Sequence, residues 1–302
     1  MPVRKPWPLR LGDRVAVVAP AGSFDRPSFD AGLKLLAQRY QPVYDEGIFE
    51  QDRYLAGSDA RRLAELAAVL ADPRLRGVFC ARGGYGVMRL LPRISFAAIQ
   101  PKPVVGFSDI TALHLSLQAT GWVSFHGPVL TQLGRQSKDV ADRLFQVLES
   151  SEPAPPLTGA STLVKGSAEG PLLGGNLSVL TRLLGTPYMP SLKGAVLMLE
   201  DIAERPYRLD RMWTHLRLAG VLQQVVGIAL GDFTGCEEKD ASYTGAEVLR
   251  SLADEIGLPC AAGFPVGHGE KNMTVPLGAR VRLDATRGRL EFLEPATMLQ
   301  TT

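Results

Sequence analysis

The sequence predicts an α/β protein of two domains, the first of them built on a parallel β-sheet with helices on both faces. Short apolar runs alternate with helical patterns through the first half of the chain, and this order is typical of a parallel sheet. A length of 302 residues also favours two domains over one. The stretch ESSEPAPPLTGASTL is rich in prolines and polar residues that interrupt any regular pattern. We therefore predict domains at residues 1–150 and 165–302, joined by a linker at 151–164.

The elements of the first domain follow one another as strand and helix. RVAVVAP predicts a buried first strand, because its β-branched run is stopped by proline, and FDAGLKLLAQRY continues with a helical pattern. SDARRLAELAAVLADP predicts a helix capped by Ser58 or Asp59. RGVFCARGGYGVMRLLP predicts a strand to about Ala81, a glycine-rich turn and a helix that opens near Gly86. PVVGFSDITALHLSLQATG repeats the order of strand, turn and helix.

The second domain is predicted to be smaller, with mixed strands. The apolar runs GAVLMLEDI and VVGIALGDF predict strands, and RPYRLDRMWTHLRLAG and TGAEVLRSLADEIG predict the helices that follow them. The tail VPLGARVRLDATRGRLEFLEP predicts further strands, joined by a turn at 286–288.

Composition excludes several classes of function. Thirty-three basic and 31 acidic side chains give a net charge of +2, which is too balanced for a broad nucleic-acid-binding face. The chain has no run of about 18 apolar residues and no apolar leader of adequate length at its N-terminus. We therefore expect no membrane segment and a cytoplasmic location. The three cysteines are widely spaced, which predicts reduced, buried thiols and no metal site.

Two turns follow strands of the first domain, where parallel sheets bind ligands. The first, ARGGYG, fails the G-x-G-x-x-G fingerprint because Arg89 stands where the third glycine would be, so we expect no dinucleotide cofactor. Gly83 and Gly84 lack a Cβ and would let backbone N–H groups approach a ligand. A tight turn without a binding role is the alternative.

The second turn, GFSD, contains Ser108, for which two interpretations stay open. Ser108 or Asp109 could cap the helix that begins around Ile110. Alternatively, Ser108 is a nucleophile at a strand-to-helix turn, with the N–H of Asp109 placed to stabilise an oxyanion. The G-x-S-x-G pattern of the α/β-hydrolases is absent, because Ile110 replaces its second glycine.

A nucleophilic serine needs a base, and the chain has four histidines. His114 lies on the same predicted helix as the serine turn, too far along it. His126 follows a short strand and is either near the site or structural. His215 belongs to a helix, where either a surface position or core packing accounts for it. His268 lies in the loop FPVGHGEKN with a glycine on either side, so we take it as the candidate base.

The third member would be a carboxylate that orients the histidine. Glu200 ends the apolar run AVLMLE and therefore lies at the carboxyl end of a strand. An ion pair with Arg205 or Arg208 is the alternative. With Ser108 in one domain and Glu200 and His268 in the other, the site would lie in the cleft between the domains.

Six segments of the chain carry a resemblance to one known family. They are ARGGYG, GFSDIT, FHGPV, LLGGNLSVLTRLLGTPY, LMLEDIAERPYRLDRMWTHL and GFPVGHGEKNMTVPLG. Together they resemble the LD-carboxypeptidase family of serine peptidases, which includes the microcin C immunity peptidases. The resemblance extends over nearly the whole chain. It implies a Rossmann-like N-terminal domain, a smaller C-terminal α/β domain and a homodimer.

The resemblance also implies a catalytic triad of Ser108, Glu200 and His268. The oxyanion hole would combine the N–H of Asp109 with that of Gly84, and Gly83 is the alternative. No metal and no cofactor is implied.

The substrate implied is a murein tetrapeptide, which would lose its terminal D-alanine in cytoplasmic cell-wall recycling. Arg82, Lys271 and Arg205 are candidates for binding the terminal carboxylate, and the sequence does not choose among them. GGNLSV either lines the cleft or is structural, and we take it as structural because Asn176 could equally cap the helix that follows. The alternative function is a microcin-immunity-type amidase acting on aminoacyl-nucleotide conjugates.

Overall fold

Two β-sheets organise the chain in a computed structural model that describes residues 2–96 and 98–298. The strands are β1 (Arg14–Val18), β2 (Gln41–Val43), β3 (Gly77–Cys80), β4 (Val104–Gly106), β5 (Ser124–His126), β6 (Leu157–Thr158), β7 (Ser161–Val164), β8 (Ser167–Asn176), β9 (Val196–Ile202), β10 (Gly227–Thr234), β11 (Cys260–Ala262), β12 (Val275–Leu277), β13 (Arg280–Asp284) and β14 (Arg289–Phe292). The α-helices are α1 (Arg26–Leu36), α2 (Asp59–Ala71), α3 (Thr111–Gln118), α4 (Leu130–Leu133), α5 (Lys138–Glu149), α6 (Leu177–Leu183), α7 (Pro206–Leu218) and α8 (Gly245–Ile256).

The first sheet has the order β12-β5-β4-β3-β1-β2. Strands β1 to β5 are mutually parallel, and β12 adds antiparallel to β5. The apolar runs of β1, β3 and β4 are buried on both faces apart from Arg14, as expected for a covered parallel sheet. Ser58 caps α2 by accepting a hydrogen bond from the N–H of Arg61.

The second sheet has the order β6-β14-β13-β8-β9-β10-β11-β7. Its four central strands, β8 to β11, are parallel, and antiparallel strands complete both sides. This mixture of strands confirms the predicted α/β class. The domain limits at 150 and 165 remain a prediction.

Helix α3 joins the two halves, because it packs on β5 of the first sheet and on β8 and α6 of the second. All eight of its residues are buried. Close to its start, the Oγ1 of Thr111 accepts a hydrogen bond from the N–H of Asn176 at 3.0 Å. The carboxyl end of β8, where Asn176 pairs with Glu200 of β9, therefore lies near the turn that follows β4.

Two segments differ from the sequence prediction. After Gly86 the chain forms two short 3-10 helices, Val87–Arg89 and Leu91–Arg93, in place of the expected helix. The second contains Pro92, which lacks the backbone N–H that would donate a hydrogen bond inside an α-helix. Within the predicted linker, β6 and β7 pair with opposite edges of the second sheet.

The remaining expectations concern membrane segments and cysteines. No helix among the described residues has both the length and the apolar character needed to span a membrane. Cys80, Cys236 and Cys260 are buried free thiols, as predicted.

Candidate active site

Ser108 lies at a strained turn immediately after β4. It is the first residue of a short 3-10 helix, Ser108–Ile110, that leads into α3. Its φ is +62°, a left-handed conformation that costs a side-chain-bearing residue about 1–3 kcal/mol and is often found at functional sites. Neither its side chain nor that of Asp109 caps the helix, so the capping interpretation is wrong. The geometry is that of a serine held out of a sharp strand-to-helix turn.

The glycine-rich turn lies directly against Ser108. A Cβ built on Gly83 would come 2.8 Å from the Cβ of Ser108 and 3.0 Å from its Oγ, so only a bare backbone fits there. Gly84 has a φ of +101°. Gly83 thus borders the serine. The predicted pairing of Gly84 with Asp109 as an oxyanion hole stays a prediction, as does the alternative Gly83.

The Asp109 side chain has a role that the sequence did not reveal. Its buried carboxylate accepts a hydrogen bond from the N–H of Val87 at 2.9 Å and so ties the glycine-rich turn to the serine turn. Burial raises the pKa of Asp109 to about 6. On the other side of the turn, the fully buried Arg62 donates to the carbonyl oxygens of Gly86 and Pro20. The turn is therefore fixed by buried polar contacts.

Glu200 and His268, the two candidate partners of Ser108, lie in hydrogen-bond contact. Glu200 is fully buried near the end of β9, and its Oε2 accepts a hydrogen bond of 2.7 Å from the Nδ1 of His268. A carboxylate can only accept, so Nδ1 carries the proton and Nε2 is left as a free base. Burial by itself would raise the pKa of Glu200, but the imidazoles of His126 and His268 lower it below its ordinary value.

The alternative explanation for Glu200, an ion pair with an arginine of the following helix, is wrong. Arg205 pairs with Glu238 at 3.5 Å, and Arg208 pairs with Glu204 at 3.4 Å.

Phe107 brings the serine turn and the His268 loop together. Its ring packs on the imidazole of His268 with centroids 4.6 Å apart, and Ser108 is its neighbour in the chain. Among the described residues, His268 is hydrogen-bonded to Glu200 but not to Ser108. Catalytic hydrogen bonds are often long without substrate and shorten in the complex.

The other three histidines have distinct surroundings. His114 is buried, and its Nε2 donates to the carbonyl oxygen of Gly106 at 2.8 Å, which stabilises the end of β4. His215 is exposed on α7. His126 is fully buried, with its Nε2 3.9 Å from the Oε1 of Glu200. His126 thus lies close to Glu200, and its role, near the site or structural, stays a prediction.

The three candidate cations for a substrate carboxylate differ in what already binds them. Lys271 pairs with Asp139 at 2.6 Å, and Arg205 has the partner described above. Arg82 donates instead to the carbonyl oxygen of Ser23 and lines a cavity of about 560 Å³ together with Gly84 and Tyr85. Of the three, Arg82 borders the glycine-rich turn.

Asn176 caps α6, as expected. Its Oδ1 accepts from the N–H of Val179 at 3.1 Å, and its Nδ2 donates to Asp201 at 3.0 Å. Burial raises the pKa of Asp201 to about 6. Within residues 2–96 and 98–298, no group of three or more histidine, cysteine or acidic side chains is arranged to hold a metal ion.

Family models match most of the chain. A model described as the LD-carboxypeptidase N-terminal domain matches residues 15–127, and one described as the LD-carboxypeptidase C-terminal domain matches residues 169–283.

Two curated proteins are similar over nearly their whole length. A putative carboxypeptidase of Synechocystis is 42% identical, over 96% of this chain and 97% of its own. The murein tetrapeptide carboxypeptidase of Pseudomonas aeruginosa is 33% identical, over 92% of this chain and 95% of its own.

Solved structures share the fold. The muramoyltetrapeptide carboxypeptidase from Oxalobacter formigenes has a TM-score of 0.83 and 28% identity, covering 92% of this chain and 97% of that one. A microcin C7 self immunity protein, in complex with aspartyl sulfamoyl adenosine, has a TM-score of 0.86 with 97% of this chain and 99% of that one covered. At 23% identity, the second likeness concerns the fold alone.

Proposed function

The chain belongs to the LD-carboxypeptidase family of serine carboxypeptidases, and from this premise we propose that it removes the terminal D-alanine of murein tetrapeptides. The observation that carries the proposal is the 2.7 Å hydrogen bond between Glu200 and His268, beside a serine in a strained left-handed turn. This arrangement suits acyl transfer, in which a serine needs an oriented base.

In the proposed reaction Ser108 is the nucleophile. Its Oγ attacks the carbonyl carbon of the amide that precedes the D-alanine, and the Nε2 of His268 takes the hydroxyl proton. Glu200 holds the imidazole in the Nδ1–H tautomer and stabilises the imidazolium that forms. The C–N bond then breaks, and His268 passes its proton to the departing amine. Water, deprotonated by the same imidazole, hydrolyses the ester and restores Ser108.

The developing oxyanion is proposed to accept hydrogen bonds from the backbone N–H groups of Asp109 and Gly84. A single such donor contributes about 2.7–4 kcal/mol to the transition state. The side-chain contact between Asp109 and Val87 supports the assignment, because it holds the two donor segments in one rigid unit.

We further propose that Arg82 binds a carboxylate of the substrate. The cavity that it lines adjoins Gly84 and contains the rings of Tyr54 and Tyr85, 5.9 Å apart between centroids. An arginine with aromatic neighbours suits a peptide that carries several carboxylates. Arg53, in the same cavity, is already paired with Asp52 at 3.2 Å.

The setting proposed is cell-wall recycling in the cytoplasm, by a homodimer. Both features come from the family resemblance. Light scattering of the purified protein tests the dimer, and a mass of about 33 kDa, that of one chain, would contradict it.

The experiment that tests the function compares three substrates by mass spectrometry. They are the tetrapeptide L-Ala-D-Glu-meso-diaminopimelate-D-Ala, the same peptide ending in L-alanine, and an aminoacyl sulfamoyl adenosine. Release of D-alanine from the first alone supports the proposal. Cleavage of the third alone would replace it with the nucleotide-conjugate amidase, which uses the same triad and for which the shared fold is the only support.

A further inference from the structure

His126 belongs to the first sheet and lies 3.9 Å from Glu200 of the second. It is the last residue of β5, paired with Gly106 of β4 on one side and with Val275 of β12 on the other. Its side chain is fully buried. Its ring meets that of Phe107 edge to face, with centroids 5.7 Å apart. Phe107 therefore has an imidazole on either side, His126 and His268.

Two buried polar atoms face each other here without a hydrogen bond. Among the described residues, neither ring nitrogen of His126 has a hydrogen-bond partner, and the same holds for Oε1 of Glu200. The Nε2 of His126 lies 3.9 Å from that Oε1, which is about 1 Å longer than a normal N–H···O hydrogen bond. The other oxygen of Glu200 is bound by His268.

Leaving such groups unpaired is costly. Each buried donor or acceptor without a partner costs about 1–3 kcal/mol, and a carboxylate in a dry interior needs hydrogen bonds to more than one of its lone pairs. His126 stands on the first sheet and Glu200 on the second, so an approach of the sheets by about 1 Å would pair both atoms.

We propose that His126 is a positioning residue that donates a hydrogen bond from Nε2 to Oε1 of Glu200 in the substrate complex. Glu200 would then be held by two imidazoles, one at each oxygen, and its rotation about the side-chain axis would be fixed. His126 acts through Glu200 on the orientation of His268 and does not touch the substrate. This inference rests on the proposed triad.

Two neighbours of His126 among the described residues do not compete with Glu200 for its Nε2. His114 of α3 lies near His126, but its own Nε2 is already bound to the carbonyl oxygen of Gly106. From β12, Val275 pairs with His126 in the strand and contributes no side-chain donor.

The kinetic test uses two substitutions of matched size. In His126→Gln the side-chain amide can place an N–H near the position of Nε2, whereas His126→Leu has no polar atom. We expect His126→Leu to lower kcat about 10- to 100-fold, the usual cost of losing a residue that orients a histidine ligand or its partner, with KM changed less than about two-fold. His126→Gln should recover most of kcat. His215→Gln, on the exposed face of α7, serves as the control for the loss of a histidine.

Coupling to Glu200 separates positioning from mere packing. If His126 acts through Glu200, adding His126→Leu to Glu200→Gln should cost little further kcat, because the effects of residues that act as one unit do not add. Equal losses of kcat in His126→Gln and His126→Leu, with melting temperatures like the wild type, would overturn the proposal. So would a full additional loss in the double variant.

A measurement without turnover distinguishes a failure of this inference from a failure of the proposed function. With imidazole-¹⁵N-labelled protein, NMR reports which ring nitrogen of each of the four histidines carries the proton. We expect His126 as the Nε2–H tautomer, with a proton resonance that moves in Glu200→Gln. A bare Nε2 would overturn the inference even if the enzyme releases D-alanine. An Nε2–H in a protein that cleaves no murein peptide would overturn the proposed function alone.

Discussion

Gly83→Ala is the substitution whose effect the structure defines most closely. The new Cβ would lie 2.8 Å from the Cβ of Ser108 and 3.0 Å from its Oγ, about 0.6 Å inside ordinary van der Waals contact. The main chain of Gly83 does not need a positive φ, so the contact itself is the source of the strain. Either the glycine-rich turn or the serine must move by several tenths of an ångström.

A displacement of that size should be felt in catalysis more than in folding. A misplacement of about 1 Å in a reacting group can cost about 100-fold in rate, so we expect kcat/KM to fall about 30- to 100-fold, which corresponds to roughly 2–2.7 kcal/mol of transition-state stabilisation. The assay is the initial rate of D-alanine release from the tetrapeptide, with the melting temperature measured in parallel.

Gly220→Ala is the matched control. Its φ is +72° and no heavy atom lies within 4 Å of the new Cβ, so it should lower the melting temperature and leave kcat/KM unchanged. Wild-type kcat/KM in Gly83→Ala would refute the reasoning, because Gly83 would then not border the reacting serine.

Three further predictions concern the triad, the substrate and the buried acids. Glu200→Gln should lower kcat by about 10³- to 10⁴-fold at nearly constant KM, because the amide no longer selects the reactive tautomer of His268. Steady-state kinetics measures both constants, and a loss of kcat of less than about ten-fold would contradict the prediction. Arg82→Ala should raise KM with little change in kcat. The control Arg205→Ala, which breaks a surface pair with Glu238, should change neither KM nor kcat. Equal effects of the two substitutions would argue against a carboxylate site at Arg82. The pKa of Asp201 is raised to about 6 from 3.8, so between about pH 4 and pH 6 the folded state binds more protons than the unfolded state. The contribution of Asp201 to the free energy of unfolding therefore falls as pH rises over this range. The melting temperature of the wild type minus that of Asp201→Asn should therefore decrease over that range, and a constant difference would show that Asp201 titrates normally.

The sequence predicts best where a local signal decides the structure. β1 and β9 are apolar runs with clear boundaries, and Ser58 stands before α2 as a side-chain cap. The stretch after Gly86 has the composition of a helix, yet Gly86 adopts a φ of +137° and Pro92 follows, so only short 3-10 turns form. The helical composition of this stretch and the conformations of Gly86 and Pro92 favour different structures, and tertiary contacts decide which one forms.

Contacts between distant segments lie beyond local pattern. β12 crosses back to pair with β5 of the first sheet, and nothing in VPL indicates which sheet it joins. The two short strands in the predicted linker form because sheet edges offer unpaired backbone groups. The composition of the linker does not indicate that such edges lie next to it.

In the site, too, local sequence signals could be interpreted, whereas contacts between distant segments could not. The positions of Glu200 at a strand end and of His268 in a glycine-flanked loop make both candidates from the sequence, and in the structure the two side chains are hydrogen-bonded. The positive φ of Ser108 and the bond from Val87 to Asp109 depend on how the two turns pack. An aspartate directly after the serine is the available sequence signal for this hydrogen bond, but a helix cap explains an aspartate there equally well.

The central claim is that Ser108 forms a covalent intermediate with the murein peptide. Rapid quenching of the wild type with the tetrapeptide, followed by digestion and mass spectrometry, tests it most directly. The account predicts the acyl group of the tripeptide on the fragment that contains Ser108, and neither adduct nor D-alanine release with Ser108→Ala. Release of D-alanine by Ser108→Ala at the wild-type rate would show that another group performs the attack.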